Sequence, residues 1–305
     1  MNLLFLGGAK RVSMARHFKA AARALGTEAR VFSYELSPDV PIAIEGEIIE
    51  GLRWTDPAVD AHLRSVVREK AIDVIVPFVD GAVAVAGRLA DMAFVPACTP
   101  AQADCMFDKV AADNLFRLKG LPVPRAYDGG ADPARRWIAK PRRGSASKGI
   151  VDFCGKCPLP RPDDYLIQEY IDRRREITVD CYVEPSTGRI CACVPRERLE
   201  VSGGEVTRTR TLRRPEVEAL ARQTLEATAL TGAVTVQLIE DLPTGRLMIM
   251  EINPRLGGGA VCAVGAGADI PKMILQNAAG LAADAPTHWR DVEMARYQAE
   301  VFFPK

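Results

Sequence analysis

The segment Val234–Gly259, VTVQLIEDLPTGRLMIMEINPRLGGG, decides how this chain is read. Val234–Ile239 and Leu247–Ile252 are apolar runs of strand length. Pro243-Thr244-Gly245 between them supplies a turn, because proline fixes φ and glycine accepts positive φ. Side chains on a strand alternate faces, so Glu251, Asn253 and Arg255 share one face if the extended backbone continues that far. Pairing about Thr244 sets Gln237 opposite Glu251. One patch then holds two amide oxygens, a carboxylate and a guanidinium. Such oxygens suit Mg²⁺, which keeps water and takes its remaining ligands from phosphates, and a guanidinium suits developing phosphoryl charge. A hairpin with a merely solvated polar face fits the same pattern, and the segment alone does not separate the two.

Composition narrows the classes around this hairpin. The 305 residues suffice for two or three domains. A 48% hydrophobic, 26% charged chain is of the soluble globular kind, and a net charge of +1 gives no broad basic footprint for nucleic acid. The apolar run Leu3–Leu6 is cut by Gly7-Gly8, too short for a signal-peptide core or a membrane span. The expectation is a cytoplasmic enzyme without nucleic-acid or membrane partners. Cys154 and Cys157 form CGKC, but Cys191-Ala-Cys193 is a poor second half for a zinc site, so the cysteines are expected as free thiols.

Upstream, strands at Asn2–Leu6, Ala29–Tyr34, Gly46–Ile49, Asp73–Pro77 and Phe94–Cys98 alternate with helices at Ser13–Leu25, Pro57–Glu69 and Gly81–Met92. That alternation predicts a parallel sheet with ligands beyond its strand carboxyl ends, where Gly7-Gly8, Glu35 and Asp80 fall. Gly7-Gly8-Ala9-Lys10 completes neither GxGxxG nor a P-loop, so it reads as a tight turn or a loop touching a non-nucleotide substrate. After Thr99-Pro100 come helices at Ala101–Met106 and Lys109–Lys119. Strands Trp137–Lys140 and Ile150–Phe153 flank the basic turn PRRGSASKG (Pro141–Gly149), which suits a triphosphate or is an ordinary hairpin tip. Strands Asp164–Glu169, Glu176–Glu184 and Arg189–Pro195, helices Pro215–Leu230 and Ile270–Ala279, and a last strand Ala295–Phe303 complete the reading. Pro195–Arg198 and Ser202–Val206 read as a loop whose arginines Arg196, Arg198, Arg208 and Arg210 hold an acidic group or are simply solvated.

In this order the motifs resemble the ATP-grasp superfamily, in particular the small relatives of the carbamoyl phosphate synthase large subunit that act as carboxylate–amine ligases. The resemblance runs from the Asn2 strand to about Asn277. It implies an α/β fold: a Rossmann-like parallel-sheet (pre-ATP-grasp) domain over residues 1–98, then a two-lobed α+β ATP-grasp unit. The small lobe with the glycine loop takes residues 99–165 and the C-terminal lobe with the metal site 166–305. The resemblance assigns Lys109 and Lys140 to the ATP phosphates and Ser145 and Ser147 to the closing glycine loop. Gln168, Glu169, Tyr170 and Ile171 form the adenine hinge, and Glu176 meets the ribose. Gln237, Glu251 and Asn253 bind Mg²⁺, two ions with Mn²⁺ as a substitute, and Arg255 sits with Lys140 at the reacting phosphoryl group. Gly8, Arg11, Asp80, Arg196, Arg208, Gly257 and Gly258 are candidates for the second substrate.

Two departures matter. Many members carry a carboxylate where this chain has Gln237, and the glycine loop has only two glycines among its cations. The implied activity is ligation of a small-molecule carboxylate to an amine or thiol through an acyl phosphate, with a homodimer left open. The competing readings are acyl phosphate chemistry without amide formation, and a nucleotide-binding regulator without turnover.

Overall fold

A computed structural model describes residues 1–144, 148–286 and 288–303. The first strands are β1 (Asn2–Leu6), β2 (Arg30–Glu35), β3 (Glu47–Glu50) and β4 (Val74–Pro77), and they pair in parallel in the order β3-β2-β1-β4. Helices α1 (Val12–Ala24), α2 (Val59–Glu69) and α3 (Asp80–Gly87) alternate with them. Both sheet faces are covered, so the central strand reads as a continuous apolar run, and Leu3 to Leu6 are all fully buried. The expected strand at Phe94–Cys98 is only a single bridge from Phe94 to Val74. Pro96, which lacks an N–H, prevents a longer ladder.

Helices α4 (Pro100–Phe107) and α5 (Lys109–Leu118) follow. Thr99 starts α4 with a capping box completed by Gln102, and Asp108 starts α5 by accepting from the Val110 and Ala111 N–H groups. Strands β5 (Arg136–Pro141), β6 (Val151–Cys154) and β7 (Tyr165–Glu169) form an antiparallel sheet ordered β6-β5-β7.

The large sheet is built from β8 (Arg174–Val183), β9 (Ile190–Ser202), β10 (Glu205–Thr211), β11 (Gly232–Asp241), β12 (Arg246–Asn253) and β13 (Glu293–Ala295). Its order is β12-β11-β8-β9-β10-β13, antiparallel throughout. Helix α6 (Pro215–Thr228) packs on it beside α4 and α5 through Val217, Leu220 and Leu225. Helices α7 (Val261–Ala266) and α8 (Ile270–Ala278) join α1 in an apolar cluster that takes Phe5 and Val76 from the parallel sheet and Tyr182 and Val194 from the large one. The two sheets are therefore held against one continuous core. Among the described residues no helix is long and apolar enough to cross a membrane.

Two expectations are corrected here. The stretch from Pro195 to Val206 is not a loop: β9 runs to Ser202 and turns at Gly203-Gly204 into β10. The polar alternation that suggested a loop is a strand with one wet face. The last strand is only Glu293–Ala295, because β10 offers partners at Arg208 to Arg210 alone.

Glu184, just past β8, ties α8 and the segment after it to the sheet. It accepts from Thr187 Oγ1 at 2.6 Å, Ala283 N at 2.9 Å and Asn277 Nδ2 at 2.9 Å. The Thr187 hydroxyl first, then these other donors, hold its carboxyl down to about 2. A depressed carboxylate contributes stability that is fully present above the unfolded pKa of about 4.3 and is lost as pH falls toward the folded value. The urea midpoint of Glu184→Gln should therefore lie below wild type at pH 7, with the gap closing as the pH is lowered through that window. A gap independent of pH would show that the charge is not what stabilises this junction.

Candidate active site

The turn of the β11–β12 hairpin closes one residue earlier than its sequence suggests, with Asp241 paired to Arg246. Left alone, that shift would move Gln237 off Glu251. A bulge at Met250 inserts one residue into β12 and restores the pair Gln237–Glu251. Beyond the bulge, Thr235 faces Asn253, and Asn253 Nδ2 donates to Glu251 Oε1 at 3.2 Å.

The register places one polar row on one sheet face: Arg196 opposite Thr178, Thr178 opposite Gln237, Gln237 opposite Glu251. A cavity of about 880 Å³ opens over this face and is lined by Lys109, Lys140, Gln168, Glu169, Tyr170, Ile171, Glu176, Arg198, Gln237, Glu251, Asn253 and Arg255, with Asp80 at its edge. Its size is at the upper end for small-molecule sites. Residues far apart in sequence thus share one cleft between the small and large antiparallel sheets.

Lys140, next to last in β5, donates to Gln168 Oε1 at 3.2 Å, while Gln168 Nε2 donates to Asp113 at 2.7 Å. Gln168 is 1% exposed, so its side chain positions Lys140 and faces away from solvent. Burial pulls the Lys140 ammonium below its usual range. Glu251 opposes that, Lys109 adds to it, and Asp113 and Glu176 oppose it. An incoming polyanion would reverse this penalty. Lys109 donates to the Gly144 carbonyl at 2.8 Å. Beside it Asp108 is doubly engaged by Arg142 Nε. Burial pushes its carboxyl up, but the Ala111 N–H, Arg142 and the Val110 N–H together outweigh it and keep the carboxyl low. The base of the basic turn is thereby fixed to the start of α5. Ser145 and Ser147 lie outside the described residues.

Toward the other end, Glu169 accepts from the Arg125 N–H and from both Arg246 nitrogens, and Tyr170 stacks with the Arg136 guanidinium at 4.0 Å. Ile171, Ile239 and Met248 form a small apolar cluster with Met250, giving the cleft a greasy wall. Glu176 is paired with Arg174 at 3.2 Å and with Arg198 at 3.3 Å. Arg198 also donates to Gln237 Oε1 at 3.1 Å. The sequence sets this bridging arginine among candidates on a loop; it lies on β9 and lines the cleft. Arg255 clamps Asp80 with both ends of its fork, at 2.6 and 2.9 Å.

The remaining candidates divide. Gly8 and Ala9 N–H groups and Ser33 Oγ donate to the buried Glu35 carboxylate, so Gly7–Lys10 is a tight turn fastened to β2. Arg11, Arg196, Gly257 and Gly258 gather beside the cleft, not in its wall. Arg208 belongs to neither group. It is half exposed and pairs with Glu293 on β13 and Glu200 on β9. The eight cysteines are free; the Cys181 and Cys193 sulfurs are 4.0 Å apart across β8 and β9.

A family model described as "ATP-grasp in the biosynthetic pathway with Ter operon" matches residues 161–300, somewhat under half the chain. Among solved structures, the chain is similar to biotin carboxylase from Campylobacter jejuni in a β,γ-ATP complex, at 16% identity and TM-score 0.74, over 92% of this chain and 71% of that one. It is similar to N5-carboxyaminoimidazole synthetase from Staphylococcus aureus complexed with ADP, at 16% identity and TM-score 0.73, over 92% and 78%. The biotin carboxylase domain dimer of the Hydrogenobacter thermophilus 2-oxoglutarate carboxylase, in complex with MgADP, ADP and bicarbonate, matches at 16% identity and TM-score 0.72, over 95% and 71%. No curated protein sequence matches. At these identities the likeness establishes the fold, which is that of the ATP-grasp proteins.

Proposed function

We propose that this ATP-grasp chain is an ATP- and Mg²⁺-dependent ligase that activates a small-molecule carboxylate as an acyl phosphate and transfers it to an amine. The observation that carries this reading is the convergence of Lys109, Lys140, Glu176, Glu251, Asn253 and Arg255 on one cavity. A regulator that only binds nucleotide has no use for the carboxylate–amide–arginine end of that set. The domain division 1–98, 99–165 and 166–305 is kept as part of the proposal, as is the open possibility of a homodimer, the form in which one structural neighbour is described.

In this reading adenine enters the wall of Tyr170, Ile171 and Met250, and Glu176 accepts from the ribose hydroxyls. Lys140 and Lys109 meet the phosphates as cations, Lys140 with its ammonium already held in place by Gln168. The Glu251 carboxylate and the Asn253 and Gln237 amide oxygens fit a hard divalent cation, and Gln237 retains a lone pair beyond the one used by Arg198. When bound, Mg²⁺ would neutralise and orient the transferring phosphoryl group. Arg255 lies beside that group, where a fork of N–H donors meets the oxygens that gain charge. Phosphoryl transfer leaves the protein mainly positioning and charge neutralisation, so no nucleophilic side chain is required.

Glu176→Ala should raise the KM for ATP about tenfold, the loss of one or two hydrogen bonds to a charged acceptor, and leave kcat within a factor of three or so. Steady-state ADP release at varied ATP measures this. A fall in kcat at saturating ATP with an unchanged KM would remove Glu176 from the ribose role. The ligase reading itself is tested by ADP release in a panel of carboxylic acids with and without amines: release that needs an acid supports it, and release indifferent to any acid sinks it.

A further inference from the structure

Beside the cleft, three arginines from three distant parts of the chain meet around Gly257–Gly259. Arg11 follows the turn past the carboxyl end of β1, the side of a parallel sheet on which ligands bind. Its Nη2 donates to Glu205 at 3.1 Å, while its buried Nη1 has no partner among the described residues. Arg196, on β9, is only 3% exposed. It spends Nε and Nη2 on Asp180 at 2.6 and 3.4 Å, and its Nη1 is likewise buried without a partner. Arg296 arrives from beyond β13 and donates to the Gly258 carbonyl.

The glycines let the backbone pass between these forks. A Cβ at Gly259 would lie 2.5 Å from Arg196 Cζ, and one at Gly258 would lie 3.2 Å from Arg11 Nη1 and 3.6 Å from Arg296 Nη2. The three guanidiniums face two carboxylates, Asp180 and Glu205, so the cluster holds a surplus cation. Buried donors left unpaired are costly, and those of two arginines left together ask for an acceptor.

Building on the ligase reading, we infer that Arg11, Arg196 and Arg296 receive a second anionic group of the acid substrate, away from the carboxylate that is activated. The geometry sets the span. Arg196 and Glu251 occupy the same polar row, separated by β11 and β8, so their strands are about 14 Å apart. Gly258 is three residues from Arg255, at most about 11 Å along the chain. A carboxyl group at Arg255 and an anion at the arginine cluster are therefore within the span of one small molecule. Planar carboxylate and tetrahedral phosphate both accept from guanidinium forks, and the substrate class is a small diacid or phosphorylated acid.

Calorimetry on the full chain, with and without a non-hydrolysable MgATP analogue, tests this. The ligands are dicarboxylates from succinate to suberate, the monocarboxylates of equal length, and 3-phosphoglycerate. One diacid or the phosphorylated acid should bind at least about tenfold tighter than its monoacid counterparts, as expected for one charge-assisted contact set. Arg11→Gln and Arg296→Gln should each remove about tenfold of that advantage without changing affinity for the nucleotide analogue. They spare the buried Arg196–Asp180 pair, whose loss would endanger folding. Which of the two wins separates a carboxylate from a phosphate. Equal binding of monoacids and dianions, or unchanged dianion affinity in both variants, overturns the inference while leaving the ligase reading intact. Failure to bind the nucleotide analogue sinks the ligase reading, and the nucleotide-free titrations still judge the anion site.

Discussion

Glu251→Ala should abolish Mg²⁺-dependent, acid-dependent ADP release, lowering it by about three orders of magnitude, the several kcal/mol that a bound metal supplies to a transferring phosphoryl group. Glu251 is the carboxylate of the Gln237–Glu251–Asn253 patch, and amide oxygens alone bind a hard divalent cation weakly. The loss is expected to be catalytic and not structural. Glu251 is half-buried, and the contact forfeited is a 3.2 Å hydrogen bond from Asn253, so the melting temperature should move by only a few degrees. Glu251→Gln retains shape without charge and should be nearly as inactive. Turnover within tenfold of wild type in either variant, at saturating Mg²⁺, would remove the hairpin from the metal role. Magnesium titration provides an independent readout: nucleotide affinity should lose its Mg²⁺ dependence.

The second large effect is expected at Arg255. Arg255→Ala should cut kcat about a thousandfold, of the order seen when a preorganised donor is removed from developing charge. Here the structure adds a complication, because Arg255 holds Asp80 at the start of α3 in a two-point ion pair, both side chains mostly shielded from water. Removing the arginine strands that carboxylate, at a cost of about 1–3 kcal/mol in stability. A double-mutant cycle with Asp80→Asn separates the two roles. Asp80→Asn alone should leave most of kcat, and Arg255→Ala in that background should regain stability but no activity. Arg255→Lys keeps a point charge and loses the fork, so an intermediate rate is expected. If Asp80→Asn restored turnover to the alanine variant, Arg255 would be a clamp between the sheets and nothing more.

Much of the candidate site, as a set of residues lining one cleft, was legible because they sit at fixed offsets within single strands or turns. Glu251, Asn253 and Arg255 follow from period-two alternation, and Lys140 at the end of its strand from the apolar run before it. Arg198 was misplaced because a strand with charged residues on one face has the composition of a loop, and only pairing with β8 and β10 shows that it is extended. Gln168 belongs by its backbone to the expected hinge; what its position in the strand does not show is that its side chain turns inward to Asp113 and Lys140, contacts 55 and 28 residues away. Arg208 shares a sequence stretch with Arg196, yet on β10 it turns to Glu200 and Glu293 and away from the arginine cluster.

By itself the sequence determined the parallel β–α opening, the hairpin and its polar face, and the order of motifs that resembles the ATP-grasp proteins, because these depend on local periodicity and turn chemistry. Tertiary structure alone decided the rest. The bulge at Met250 put Gln237 opposite Glu251 although the turn closed elsewhere, Arg255 found Asp80 across 175 residues, and Arg11, Arg196 and Arg296 came together around three glycines. Such contacts are fixed by how sheets share a core, and no spacing along the chain encodes them.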